Sequence, residues 1–371
     1  MKREGLRIII AGGGTGGHLF PGIALAETFR EREPLSEVLF VGTRRGLEAR
    51  VLGPLGYDLR TLDVEGIKGR GGLRALRAAL KVPGSLGQAW VIIREFSPHL
   101  VIGVGGYASG PAVLAAVLMG IPTAVAEQNA VPGATNRILG KVVDRVFLSF
   151  PDREGTFPPR KVLVTGNPVR RSFLRAFDET PRRREGEVFT VLVFGGSQGA
   201  RAINRAVTES LDHLGVLRGR LRFVHQTGEQ DLAFVEEAYR RHGFEARVLP
   251  FIMDMADAFL EADLLVCRAG ATTVAEITLA GKAAILIPFP HAVGDHQTKN
   301  ASVLAAAGAA ILIPEAALRP ADLAGTITAL ATDPKRLEEM EKRAKELGNI
   351  NAGDDIVSAC FDLLRKRGSW G

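Results

Sequence analysis

The stretch Ile8-Ile9-Ile10-Ala11-Gly12-Gly13-Gly14-Thr15-Gly16-Gly17-His18 passes from a short apolar run into a glycine turn, a hydroxyl residue and a helix start. A second stretch, Val191-Leu192-Val193-Phe194-Gly195-Gly196-Ser197-Gln198-Gly199-Ala200-Arg201, repeats that order in the other half of the chain. A buried strand that turns on glycines into a helix offers unpaired backbone N–H groups and a positive dipole end to an anion. Two such cradles predict two phosphorylated ligands, as in a transferase that joins an activated donor to a phosphorylated acceptor.

Outward from these cradles, β-rich runs alternate with Ala- and Leu-rich helical stretches. Strands of the first half are read at 7–11, 38–42, 100–104, 122–126 and 145–148, and those of the second at 162–165, 190–194, 221–225, 246–249, 263–267, 284–288 and 310–313. Such alternation predicts an α/β chain of two doubly wound parallel units, in keeping with 371 residues, which is long for one core. The linker is placed near Gly166-Asn167-Pro168-Val169. The charged stretch Arg182–Glu187 reads as a solvated loop, and Arg336–Arg367 as a helical tail broken at Gly348 and Gly353.

Two cysteines, Cys267 and Cys360, make neither a disulfide framework nor a metal cluster, which suits a reducing, cytoplasmic setting. The opening Met-Lys-Arg-Glu runs straight into a strand, so no cleaved secretory signal is expected, and no apolar run is long enough to cross a bilayer. A net charge of +6 suits phosphorylated substrates, an anionic membrane or nucleic acid, and charge alone does not choose among them.

The first cradle also spells the dinucleotide fingerprint Gly12-x-Gly14-x-x-Gly17. The acid that would hold an adenosine ribose is missing, because Val38-Leu39-Phe40-Val41 ends in Gly42-Thr43. His18, just inside a helix N-terminus, is kept neutral by the dipole and can accept a proton; its other reading is an ordinary hydrogen-bonded histidine. Val101–Pro111 repeats strand, glycine turn and helix, and Glu127-Gln128-Asn129 follows a strand directly, where ligand-lining loops lie. Glu127 and Asn129 therefore read as sugar contacts or as turn and cap residues. In Cys267–Glu276 the pattern recurs, with Glu276 placed to accept hydrogen bonds from ribose hydroxyls or to complement the helix dipole. Pro288–Ala301 is a loop rich in donors and acceptors that suits a sugar.

Taken in order, Gly13–His18, Gly105-Gly106-Tyr107, Glu127-Gln128-Asn129, Gly166-Asn167-Pro168-Val169-Arg170, Gly195–Ala200 and Asp295-His296-Gln297 resemble the MurG family, peptidoglycan N-acetylglucosaminyltransferases of glycosyltransferase family 28 that make lipid II. The resemblance covers almost the whole chain. It implies a GT-B architecture, two Rossmann-like doubly wound domains facing across a cleft: residues 1–166 for acceptor and membrane, 167–345 for the donor, and 346–371 as a helix returning to the first domain. UDP-N-acetylglucosamine is the implied donor and undecaprenyl-diphospho-muramoyl-pentapeptide the implied acceptor, joined by inverting transfer into a β-1,4 bond. By motif, Ser197 would contact the donor diphosphate, Ile252 the uracil through its backbone, and Glu276 the ribose. Thr15, Gly16, Gly17, Asn129, Arg170, Gln297 and the turn Ala271, Thr272, Thr273, Val274 and Ala275 would complete the donor site. His18 is the first candidate for the catalytic base and Glu127 the second. Ala126 stands where some members have histidine, which bears on the assignment in that loop.

No Asp-x-Asp pair ends a strand, so no required bound metal ion is expected; no cofactor is expected either. For a lipid-linked acceptor, residues 70–82 offer a membrane contact: on a helix ended by Pro83-Gly84, Leu73, Leu76 and Leu80 share one face, with Arg70, Arg74, Arg77 and Lys81 on its flank. The same pattern also describes leucines packed on a core with solvated cations outside. The expected location is peripheral, on the cytoplasmic face of the bacterial cell membrane, with cell-wall synthesis proteins as candidate partners and no nucleic acid. Two other classes stay open on the sequence: an NAD-dependent oxidoreductase and a non-catalytic membrane-surface scaffold.

Overall fold

The computed structural model describes residues 5–43, 48–64, 72–179, 188–196 and 198–369, with 72–82 and 178–179 described at the level of the backbone. The chain divides into two compact units, Met1–Arg171 with Ile350–Gly371, and Ser172–Asn349. The expected solvated loop Arg182–Glu187 lies outside the described residues, as does Ser197.

In the first unit the order is β1 (Arg7–Gly12), α1 (Gly16–Arg32), β2 (Glu37–Thr43), α2 (Glu48–Val51), β3 (Asp58–Leu62), α3 (Gly72–Phe96), β4 (Leu100–Gly105), α4 (Ser109–Leu118), β5 (Thr123–Glu127), α5 (Ala134–Leu139), β6 (Arg145–Leu148) and β7 (Val162–Val164). The strands form one sheet in the order β3-β2-β1-β4-β5-β6-β7, every pairing parallel. Apolar clusters cover both faces, one with Ile8, Ile10 and Phe29, the other with Ile9, Val101 and Val113. Burial on both sides is why the inner strands read as unbroken apolar runs.

The second unit follows as α6 (Arg171–Glu179), β8 (Phe189–Phe194), α7 (Arg201–Ser210), β9 (Leu221–Gln226), α8 (Leu232–His242), β10 (Glu245–Leu249), α9 (Met255–Glu261), β11 (Leu264–Cys267), α10 (Ala271–Ala280), β12 (Ala283–Leu286), α11 (His296–Ala306), β13 (Ala310–Leu312), α12 (Pro320–Thr332) and α13 (Pro334–Glu346). Its sheet, β10-β9-β8-β11-β12-β13, is also parallel throughout. The last helix, α14 (Ala352–Arg367), belongs to the first unit, where Phe361 meets Phe29 edge-on at 6.0 Å. Arg171 adds a tie there, its amide donating to Glu27 and its guanidinium to Asp354, each at 2.8 Å.

In both sheets the strand order reverses at the strand that carries a glycine turn. β1 lies between β2 and β4, and β8 lies between β9 and β11. At such a switch point the neighbouring crossovers run to opposite faces and leave a crevice past the strand C-termini. The two cradles thus occupy the ligand position of their respective sheets.

Four features depart from the sequence reading. The strand expected near 162–165 to open the second half is β7, which pairs with β6 and ends the first unit's sheet, because the chain crosses to the second unit only after it. β3 is additional: its Asp58-Leu59-Arg60-Thr61-Leu62 alternates charge with apolarity at a sheet edge and carries no continuous apolar run. Helix α3 does not stop at Pro83-Gly84 but continues to Phe96, with Pro83 inside it. Ala89 and Ile93, each 1% exposed, give the segment beyond the proline an anchored face. Gly353 lies inside α14 and breaks nothing; a Cβ there would sit 2.9 Å from Thr28 Oγ1, so glycine allows close approach to α1. The side chains of the expected membrane-facing set, Arg70, Leu73, Arg74, Leu76, Arg77, Leu80 and Lys81, lie outside the description. Among the described residues no helix is long and apolar enough to cross a membrane.

Candidate functional site

After β1, Gly12, Gly13 and Gly14 take φ values of 152°, 129° and 89°, a run of left-handed backbone that L side chains rarely adopt. Thr15 then turns extended as the N-cap of α1, with no side-chain cap hydrogen bond. The Gly105-Gly106 turn after β4 locks against this loop: Gly13 N–H donates to the Gly105 carbonyl at 3.3 Å, and a Cβ on Gly106 would stand 3.1 Å from Gly13 N. His18 lies in the first turn of α1. A Cβ on Gly105 would come within 2.9 Å of its Nε2, so the ring rests on the Gly105 turn, while Nδ1 is 3.3 Å from Thr15 Oγ1. Thr15, Gly16, Gly17 and His18 are thus gathered with the Gly105 turn, and the Thr15 hydroxyl orients the ring.

One residue of this loop escaped the sequence reading. Glu48, 1% exposed, turns its carboxylate back past the end of β2 and accepts from Gly14 N–H at 2.8 Å and Thr43 N–H at 3.4 Å. An acid does follow β2, therefore, but it faces inward and pins the glycine turn. Gly14 N–H is already used within the protein, which leaves the Gly16-Gly17 end of the cradle, at the N-terminus of α1, for an anion. Four of the residues before Glu48 lie outside the description, and the link to Gly14 spans 34 positions, so no local pattern announced it.

Glu127, at the end of β5, is 3% exposed. Its Oε1 accepts from Asn129 N–H at 3.0 Å and Asn129 Nδ2 at 3.3 Å, and its Oε2 from Gly133 N–H at 2.9 Å and Asn136 Nδ2 at 3.0 Å. Four donors fill the lone-pair sites of one carboxylate. The arrangement folds residues 127–136 into a fixed loop and sets Asn129 and Asn136 in place. Arg170 stacks its guanidinium over Phe20 of α1, 4.7 Å from the ring centre, two positions beyond His18.

In the second unit, the turn after β8 uses Gly196 (φ 96°) and Gly199 (φ 73°). It abuts the Thr227-Gly228 turn after β9, where a Cβ on Gly199 would run into the Thr227 carbonyl and one on Gly228 into the Gln198 carbonyl. Gln226 ties the turn to the segment after β10: its Nε2 donates to the Gly196 carbonyl at 2.7 Å, and its Oε1 accepts from Ile252 N–H at 2.8 Å.

Beneath these turns runs a buried polar chain. Asn204 Nδ2 donates to the Thr227 carbonyl and to Asp231 Oδ2, both at 2.9 Å, so Asn204 Oδ1 must accept. His225 Nε2, 3.0 Å from that oxygen, is then the protonated nitrogen, and Nδ1 accepts from the Tyr239 hydroxyl at 3.0 Å. Burial holds the His225 pKa down to about 3 and raises that of Tyr239, so both stay neutral.

Helix α10 starts after Gly270 with no side-chain cap, leaving the first-turn amides of Ala271, Thr272 and Thr273 for an external acceptor. Thr272 Oγ1 is buried and has no hydrogen-bond partner among the described residues. Val274 and Ala275 complete that first turn, and Glu276, 7% exposed, stands behind it. Its charge adds to burial in pushing the Cys267 thiol up. Gln297, in α11, accepts from Phe289 N–H at 2.9 Å and so shapes the Pro288–His291 loop. Arg268, missed by the sequence reading, holds the same loop through the carbonyls of Ile287 (3.1 Å) and Pro288 (3.0 Å) and pairs with Glu315 at 2.5 Å. Among the described residues, no group of three His, Cys, Asp or Glu is placed to hold a metal ion.

The model of the glycosyltransferase family 28 N-terminal domain matches residues 8–148, and that of the family 28 C-terminal domain matches residues 190–356. A UDP-N-acetylglucosamine–N-acetylmuramyl-(pentapeptide) pyrophosphoryl-undecaprenol N-acetylglucosamine transferase of Syntrophus aciditrophicus is 58% identical over 97% of this chain and 99% of its own length. The protein of the same name from Myxococcus xanthus is 50% identical over 99% of this chain and 94% of its own. Among solved structures, MurG of Acinetobacter baumannii superposes with a TM-score of 0.78 at 34% identity, covering 97% of this chain and 99% of that one.

Proposed function

The chain belongs to glycosyltransferase family 28, and from that premise we propose that it moves N-acetylglucosamine from UDP-N-acetylglucosamine to the muramoyl 4-hydroxyl of undecaprenyl-diphospho-muramoyl-pentapeptide, making lipid II. The observation that carries this reading is the pair of glycine turns at the switch points of two parallel Rossmann-like sheets of the GT-B fold, one bearing His18 and the other followed by the uncapped, Thr272-bearing start of α10.

In the donor unit, the α10 N-terminus and the Gly195–Gly199 turn with Ser197 take the UDP diphosphate. Glu276 accepts from the ribose hydroxyls, the Ile252 backbone meets the uracil, and the loop shaped by Gln297 meets the sugar. In the first unit, His18 takes the proton of the acceptor hydroxyl; that oxygen attacks the anomeric carbon from the side opposite the phosphate. The new C–O bond forms as the bond to the β-phosphate breaks, its electrons leave on UDP, and the configuration inverts. Amides and helix dipoles aimed at the diphosphate stabilise the charge that develops there. Glu127, with four internal donors, supports this chemistry by holding the Asn129 loop. Thr15, Gly16, Gly17, Asn129 and Arg170 complete the substrate contacts of the first unit. A polyprenyl acceptor resides in a bilayer, so the enzyme works peripherally on the cytoplasmic face of the membrane, met by the basic, leucine-bearing start of α3.

Incubation of the purified chain with radiolabelled UDP-N-acetylglucosamine and a short-chain lipid diphosphate acceptor is expected to place label in the lipid product. Label that stays in the nucleotide sugar, or appears only as free sugar, overturns the reading.

A further inference from the structure

We propose that Gln226 is a positioning residue for the nucleotide donor, setting the distance between the backbone that meets the base and the turn that meets the diphosphate. The inference rests on the donor site described above and assigns Gln226 a role exerted through its two backbone partners, Gly196 and Ile252.

Gln226 is the last residue of β9, 1% exposed, and its two amide atoms face opposite demands. The Gly196 carbonyl needs a donor and receives Nε2 at 2.7 Å; Ile252 N–H needs an acceptor and finds Oε1 at 2.8 Å. A flipped amide would set oxygen against oxygen and N–H against N–H, so one orientation is enforced. Carboxylate, hydroxyl and thioether side chains of similar position lack the donor, the reach or both. Burial strengthens both bonds and makes their loss costly, since each freed backbone group would be left without water. Gly196 sits in the second glycine turn and Ile252 in the segment after β10, so one side chain spans the two halves of the donor site. The backbone supports the same junction: Thr227 N–H donates to the Leu249 carbonyl at 3.0 Å and Gly228 N–H to the Pro250 carbonyl at 3.1 Å. A ligand that reaches both halves, a nucleoside diphosphate, feels any change in their spacing; a nucleoside alone does not.

The test is calorimetric titration of the full chain and of Gln226→Met with UDP and with uridine, beside steady-state kinetics and thermal melting. Methionine keeps the length and removes both bonds. The expected result is a loss of about tenfold in UDP affinity and a matching rise in donor KM, the scale of one buried hydrogen bond lost with its partner left unpaired. Uridine affinity, acceptor KM and kcat are expected to stay within about twofold. Gln226→Asn, too short to reach both partners, is expected to lose about threefold or more and decides the matter if the methionine variant does not fold. UDP affinity unchanged in a folded variant overturns the proposal, as does an equal loss for uridine, UDP and acceptor, which marks general disruption. Wild-type protein that binds no UDP overturns the donor-site reading itself, and this inference with it.

Discussion

His18 and Glu127 entered as rival bases, and their surroundings separate them. His18 has one ring nitrogen beside the Thr15 hydroxyl and the other against the Gly105 turn, whereas each oxygen of Glu127 already accepts two N–H bonds. His18→Ala is therefore expected to lower kcat by about 10²- to 10⁴-fold, the range of a lost general base, with UDP affinity in calorimetry unchanged. Glu127→Gln turns an NH₂ toward existing donors, and the expected cost is about 1–3 kcal/mol of stability, read as a lower denaturant midpoint; an unshifted midpoint with a collapsed kcat would restore Glu127 as the base. His225 makes a prediction in pH. Folded, it binds a proton only near pH 3, while the unfolded chain binds one near the ordinary value of 6.5. Between those values the unfolded state carries more protons, so this residue's contribution to stability falls as pH drops from about 6.5 toward 3. Denaturation of wild type and His225→Gln across that window checks the sign: the variant is expected to have the shallower slope, and parallel slopes would discharge His225.

At the scale of elements, what the sequence made legible was what is local. Both glycine turns and the apolar strands before them lie within a dozen residues, and so do the starts of α1 and α10. The pins of those turns do not: Glu48 reaches Gly14 across 34 positions and Gln226 reaches Gly196 across 30, partners that only the strand order brings together. β3 escaped because an edge strand half in water needs no apolar run, and α3 outlasted Pro83 because the anchored face at Ala89 and Ile93 lies beyond it. The uncapped start of α10 and the Thr272 hydroxyl, without a hydrogen-bond partner among the described residues, are the features on which the proposed diphosphate contact rests, with Glu276 behind them. Thr272→Val and Glu276→Ala are each expected to weaken UDP-N-acetylglucosamine binding about tenfold in calorimetry, the loss of one or two hydrogen bonds to a charged or desolvated ligand. Vesicle binding is expected to be indifferent to both, and donor affinity equal to wild type would remove α10 from the site.

For the whole molecule the question is how a chain with no spanning helix among its described residues serves an acceptor carried in a bilayer. Lysine and arginine outnumber aspartate and glutamate by 47 to 41, an excess too small to hold a protein on a membrane unless it is gathered. The sequence gathers it: Arg70, Arg74, Arg77 and Lys81 recur at helical spacing beside Leu73, Leu76 and Leu80. A cation near an anionic leaflet contributes about 1 kcal/mol, so removing four would weaken binding by up to about a thousandfold at low salt. The Debye length of about 8 Å at physiological ionic strength shrinks that margin, so wild-type binding should itself fall as salt is raised. Replacement of the four cations by glutamine is expected to abolish co-sedimentation with anionic vesicles at low salt. Transfer to a soluble short-chain acceptor should persist, because neither glycine turn is touched. If the variant sediments as well as wild type at low salt, the patch is only the solvated flank of a core helix, and the membrane contact must be sought on another face.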